Sequence, residues 1–155
     1  MEWNHYDRNG RIRMVDISAK DVVFRKATAE GCVELSPETG EKIKDLRLPK
    51  GDPFEIARIA GIQAAKRTSE WVPLCHQLNL DWVDVDIKLE ENVFLIRSTV
   101  CCRWATGVEM EALTAVTAAA LTLYDMCKAV DKKIVIGRIR LVSKEKGKYS
   151  PGQSP

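Results

Sequence analysis

Only two histidines occur among the 155 residues, His5 and His76. His76 lies in Pro73-Leu74-Cys75-His76-Gln77, between an expected helix and a hairpin. An imidazole titrates near about 6.5, so it suits proton transfer or contact with a phosphate. From composition alone, a loop histidine held by a local hydrogen bond fits as well. Asp125 and Lys128 form a second constellation. They stand three apart on an expected helix, which makes them surface neighbours. Their surroundings, Leu123-Tyr124-Asp125-Met126-Cys127-Lys128-Ala129-Val130, are largely apolar, and an acid and an amine in partly dry surroundings can trade protons. Spacing alone equally fits a plain intrahelical ion pair, worth about a few tenths of a kcal/mol. Glu109-Met110-Glu111 follows Thr106-Gly107. Carboxylates there complement the dipole of a starting helix, or accept hydrogen bonds from a guanine-like edge or a proton; spacing does not choose. Lys50 precedes a helix start, where free backbone N–H groups also favour anions. Lys144 and Arg25 lie at or within expected strands. Each alone reads as a solvated charge; converging, the three would hold a polyphosphate.

The elements that must position these groups follow from periodicity and punctuation. Residues 1–13 read as a loose polar arm and 14–18 as a short strand or extended segment. Residues 22–35 are rich in β-formers, with Gly31 a candidate bulge. Ser36-Pro37 opens a short helix to about Leu46, although Gly40 weakens it. Asp52-Pro53 opens another to about Arg67, with Glu55 completing a capping-box-like pattern. On it Ile56, Ile59, Ala60 and Gln63 share one face, while Gly61, Ala64 and Ala65 permit close packing. Residues 80–103 alternate: Val83, Val85, Ile87 and Leu89 face one way, Asp84, Asp86 and Lys88 the other, with a turn at Glu91-Asn92. Residues 108–130 form a long helix with Leu113, Val116, Ala120, Leu123 and Cys127 near one stripe, and 133–143 a last strand. The order βαββαβ is that of a ferredoxin-like α+β sandwich, an antiparallel sheet with helices packed on one face. The expected organisation is an arm over 1–13, one domain over 14–144, and a mobile tail over 145–155.

Composition narrows the classes. Hydrophobic residues make up 45% and the net charge is +2, from 24 basic and 22 acidic residues. That balance argues against nucleic acid or membrane as the main partner, so an anionic ligand needs a local cationic cluster. The five cysteines are odd in number and lack Cys-x-x-Cys spacing, which argues against a disulfide framework or zinc ribbon. The N-terminus lacks the apolar stretch of a signal peptide and no apolar run approaches a span, so a reduced, cytoplasmic protein is expected. Phosphate-loop, dinucleotide and nucleophile-elbow patterns are absent, and no His/Cys cluster has metal-ligand spacing.

Five stretches, taken in order, resemble one family. They are Met14-Val15-Asp16-Ile17-Ser18-Ala19-Lys20; Lys50-Gly51-Asp52 with Ala57 through Thr68; Pro73-Leu74-Cys75-His76; Thr106-Gly107-Val108-Glu109-Met110-Glu111-Ala112-Leu113-Thr114; and Leu123 through Val130. The chain resembles, over about residues 14–144, the cyclic pyranopterin monophosphate synthases of molybdenum-cofactor biosynthesis. The resemblance implies a lyase that converts 3′,8-cyclo-7,8-dihydro-GTP to cyclic pyranopterin monophosphate and pyrophosphate. It implies a homohexamer, a trimer of dimers with sites at subunit interfaces, and no resident cofactor; magnesium is plausible only with the triphosphate. By family match Asp125 and Lys128 are catalytic, and Leu74, Cys75, His76, Met110 and Glu111 bind substrate. Glu109, Lys50, Lys144 and Arg25 match further site positions. Two departures stand out: Gln77 where many members have proline, and Trp104-Ala105 where others often carry a basic residue.

Helix geometry adds one expectation. Glu111 and Asp125 lie fourteen residues apart in sequence, hence roughly 21 Å along an ideal axis. One chain does not readily bring both to one reacting centre, so a site shared between two subunits is expected. Two rival functions remain at this stage. A non-catalytic nucleotide sensor on the same fold would not need Asp125 and Lys128. A ferredoxin-like RNA-binding module would need sheet aromatics and a basic surface, which are absent.

Overall fold

A computed structural model describes residues 5–44 and 51–147. The elements are β1 (Val23–Glu34), α1 (Pro37–Lys44), α2 (Pro53–Ala65), α3 (Thr68–Trp71), β2 (Trp82–Glu90), β3 (Val93–Trp104), α4 (Glu109–Cys127) and β4 (Val135–Gly147). The four strands form one antiparallel sheet in the order β2-β3-β1-β4. With α2 and α4 laid on one face, this is the ferredoxin-like α+β sandwich.

The alternation of β2 and β3 explains the layering. Val85 and Ile87 on β2, and Phe94, Ile96 and Val100 on β3, are buried toward the helices. Asp84 and Lys88 point to the open face and are exposed. The turn between these strands puts Glu91 at φ 53°. From the other side α4 supplies Ala112, Val116, Ala120 and Leu123, all buried in the same core. Phe54 of α2 meets Phe94 edge-on, ring centroids 5.3 Å apart.

Capping fixes where α2 begins. Asp52 Oδ1 accepts the Phe54 amide at 2.8 Å and Pro53 takes the first turn. Glu55 does not complete a capping box; its carboxylate pairs with Arg58 at 3.4 Å. The helix buries Ala57, Gly61, Ala64 and Ala65, whereas Ile56 and Ile59 are exposed. Gly61 is the close-approach point, since a methyl group there would lie 2.9 Å from the Ala115 carbonyl oxygen of α4. α2 ends at Ala65, close to the expected end near Arg67, and a short α3 that the sequence reading did not include follows.

Strand β4 departs most from expectation. It runs to Gly147, pairing Lys144, Glu145 and Lys146 with Ala27, Lys26 and Arg25. Its register against β1 shifts twice, near Thr28 and near Gly31. The irregularity beside Gly31 lies on β4, where Arg138 takes φ 54°. Gly31 makes room for it: a methyl there would meet Val116 at 2.8 Å and Ile139 at 3.0 Å. Residues 14–18 form no strand.

Candidate active site

The N-terminal end of α4 is the centre of the site. Ser98 of β3 donates to the Ala112 carbonyl at 2.7 Å, which ties the first turns of the helix to the sheet. Val108 at the N-cap position supplies no side-chain cap. Two cavities flank it. The larger, about 590 Å3, is walled by Leu74, Cys75, His76 and Leu78 from the α3–β2 connection and by Thr106, Gly107, Glu109, Met110 and Glu111 at the helix start. The smaller, about 280 Å3, is lined by Arg25, Lys26, Lys144 and Lys146. Gly107 and Glu109 border both, so the loop before α4 separates an apolar chamber from a cationic one.

The chambers differ in electrostatics. Glu111 is buried, 4% exposed. Burial, opposed by its own backbone amide and reinforced by the charge of Glu109, pushes its carboxyl up to about 7. Near neutral pH it can both give and take a proton. Burial also raises the Cys75 thiol, with Glu111 adding to the effect. Cys75 therefore stays protonated and serves as wall rather than nucleophile.

In the cationic chamber Arg25 donates to the carbonyls of Trp104 at 3.4 Å and Ala105 at 3.3 Å. Those contacts pin the guanidinium against the loop. Lys144 Nζ sits 3.2 Å from Glu109.

Of the residues singled out from sequence, Leu74, Cys75, His76, Glu109, Met110 and Glu111 meet in the larger cavity. Arg25 and Lys144, with Glu109 again, meet in the smaller one. Lys50 lies outside the described residues. Asp125 and Lys128 do not join either cavity. They sit at the opposite end of α4, paired at 2.7 Å, each side chain just over half exposed. Their surroundings in one chain are therefore wet, not dry. The hydrogen bond and charge of Asp125 raise Lys128 above its ordinary range, so its ammonium is a firm cation here. Sequence reasoning missed one wall: His5, Val15, Ile17 and Lys20 also line the larger cavity. Residues 14–20 carried the resemblance but no assigned role, and His5 was placed in a loose arm.

Among the described residues no group of three or more His, Cys, Asp or Glu side chains is placed to hold a metal ion. No described helix is long and apolar enough to cross a membrane. All five cysteines are free thiols.

The MoaC family matches residues 14–147. A cyclic pyranopterin monophosphate synthase of Chloroflexus aurantiacus is 52% identical over 156 residues, covering 99% of this chain and 96% of that protein. One of Peptoclostridium acidaminophilum is 48% identical over 148 residues, covering 96% and 94%. A molybdenum cofactor biosynthesis bifunctional protein of Chlorobaculum tepidum is 52% identical over 153 residues, covering 99% of this chain; the chain spans about half of that longer protein, 49%.

Proposed function

The chain belongs to the MoaC family, and on that premise we propose that its two chambers form one site that converts 3′,8-cyclo-7,8-dihydro-GTP to cyclic pyranopterin monophosphate and pyrophosphate. Its activity is that of a cyclic pyranopterin monophosphate synthase, a lyase of molybdenum-cofactor biosynthesis. The observation that carries the assignment of the site is the pairing of an apolar, proton-exchanging chamber with a cationic one across the loop that starts α4. A nucleotide has that same division between ring system and phosphates.

In this reading the ring system lies against Leu74, Met110 and the Cys75 thiol, with His76 and Glu111 holding its polar edge. The reaction opens a purine-derived ring and rebuilds it as a pterin, which needs repeated proton transfers. Glu111, with its carboxyl near 7, is suited to exchange protons at neutral pH. A ribose hydroxyl then attacks the α-phosphate. Its oxygen–phosphorus bond forms as the bond to the β-phosphate oxygen breaks, the hydroxyl proton passes to a base, and pyrophosphate leaves with the bonding pair. Negative charge grows on that leaving group, and Arg25 and Lys144, with Lys50, are the cations that oppose it. The chemistry as written needs no resident cofactor; magnesium is proposed only as a companion of the triphosphate.

Asp125 and Lys128 enter from a second subunit. They stand at the far end of a 19-residue helix from Glu111, so one chain does not present both to one ligand. Ile56, Ile59, Trp71, Leu121 and Tyr124 are exposed apolar side chains on the helices, and assembly would cover such a surface. We place the chain in a homohexamer, a trimer of dimers, in the cytoplasm, where five free thiols persist.

The test is incubation of the protein with the cyclised GTP derivative. Stoichiometric pterin monophosphate and pyrophosphate support the proposal. Substrate that is bound but returned unchanged would contradict it and favour a nucleotide sensor.

A further inference from the structure

Resting on that reading and deepening it, we infer that residues 5–20 form a third wall of the nucleotide site, with His5 and Lys20 as further substrate-binding residues. Two local turns build this wall. In the first, Asp7 Oδ1 accepts the amides of Asn9 and Arg11, both at 2.8 Å. The chain then folds back, the Asp7 amide donating to Arg11 O and the Arg13 amide to His5 O, each at 2.9 Å. Tyr6 bridges Ile12 within this fold. Such a side-chain-to-backbone turn is fixed by local hydrogen bonds rather than by burial, and it delivers His5 to the cavity.

In the second turn, Asp16 Oδ1 accepts the Ser18 amide at 2.9 Å and the Lys20 amide donates to Ile17 O at 3.0 Å. Val15, Ile17 and Lys20 then border the same cavity as His76 and Glu111. Asp16 is held below the usual carboxylate range chiefly by the Ser18 amide and hydroxyl, with the charges of Arg13 and His76 contributing. The segment therefore lies close to His76.

Charge supplies the reason for a contact. The substrate is multiply anionic, and three of the four cations lining the smaller chamber already have partners within the chain. Arg25 holds two carbonyls, Lys144 faces Glu109, and Lys26 lies 3.9 Å from Glu145. Across the larger cavity the ionisable side chains of the helix start are both carboxylic, Glu109 and Glu111. Lys20 has no ion pair among the described residues, and its side chain is exposed at the cavity mouth. Its ammonium meets an anionic oxygen of the nucleotide, and His5 hydrogen-bonds the ligand from the same wall.

The test compares Lys20→Ala, Lys20→Arg and His5→Ala with the unsubstituted protein. Steady-state kinetics on the cyclised GTP derivative are measured beside calorimetric binding of GTP, which needs no turnover. Both side chains are exposed, and circular dichroism verifies that each variant folds. Lys20→Ala is expected to raise KM and the GTP Kd at least fivefold, with a weaker dependence on salt, and Lys20→Arg to restore most of the loss. His5→Ala is expected to raise both at least threefold. Changes below threefold in KM and Kd for both alanine variants overturn the inference while leaving the synthase reading intact. Loss of GTP affinity in a protein that turns over no substrate would keep the wall and remove the synthase reading.

Discussion

Replacing Glu111 by Gln is expected to stabilise the fold at alkaline pH while removing turnover. Glu111 is 4% exposed, and its carboxyl titrates near 7 instead of the ordinary 4.5. The folded state therefore holds this proton more tightly than the unfolded chain does. Between about pH 4.5 and 7 the folded protein binds more protons, so the contribution of this group to stability falls as pH rises. Below 4.5 there is no penalty; above 7 it is fully present. A difference of roughly 2.5 units corresponds to about 3 kcal/mol as an upper figure. Glutamine carries no charge, so Glu111→Gln should exceed the wild type by about 1–3 kcal/mol at pH 8 and match it within about 0.5 kcal/mol at pH 4. Urea unfolding at fixed protein concentration, repeated across that range, measures the gap. A gap that does not change with pH, or a variant less stable at pH 8, would refute the reasoning about burial. Turnover measured in the same preparations should fall by a factor of about 100 or more, since the proton-exchanging group is gone.

Packing, the smaller chamber and the α4–β4 connection each give a sharper expectation. Gly61→Ala pushes a methyl to 2.9 Å from the Ala115 carbonyl oxygen. An overpacking loss of about 1–3 kcal/mol, partly offset by about 1 kcal/mol of helix propensity, should lower the denaturation midpoint; an unchanged midpoint contradicts the close approach of α2 and α4. Asp131, 4% exposed, is pushed up by burial, but the amides of Ser36 and Lys133 outweigh this and hold its carboxyl below the ordinary range. Asp131→Ala orphans those amides and should cost about 1–3 kcal/mol by the same unfolding assay, with a smaller loss speaking against a structural role. Lys144→Ala should raise KM for the cyclised substrate by roughly tenfold or more, as expected for one charge-assisted contact; an unaltered KM would take Lys144 out of the phosphate chamber.

Some of this arrangement is legible in sequence and some is not. The β2–β3 hairpin is, because strict alternation from Val83 to Leu89 matches one buried and one open face. The stripe from Val116 to Cys127 on α4 is legible for the same kind of reason. The end of β4 is not: Glu145 and Lys146 read as a tail because an edge strand with a charged surface shows no apolar alternation. The short α3 is hidden too, since the four residues from Thr68 to Trp71 are too few to show a helical period. At the site, Leu74, Cys75, His76 and Glu111, all named through the resemblance, line one cavity. The wall at residues 5–20 escaped because it rests on hydrogen bonds of Asp7 and Asp16 rather than on an apolar pattern. The distance between Glu111 and Asp125 was readable from helix rise alone.

The central claim is that a complete site needs the cavity end of α4 from one chain and the Asp125–Lys128 end from another. Co-assembling Glu111→Gln and Asp125→Asn chains, each inactive alone, tests it most directly. In a two-fold dimer with random pairing, half the dimers are mixed and one of their two sites is intact, so about a quarter of wild-type turnover should return. Mixed dimers, verified by mass, that recover no activity would contradict the account.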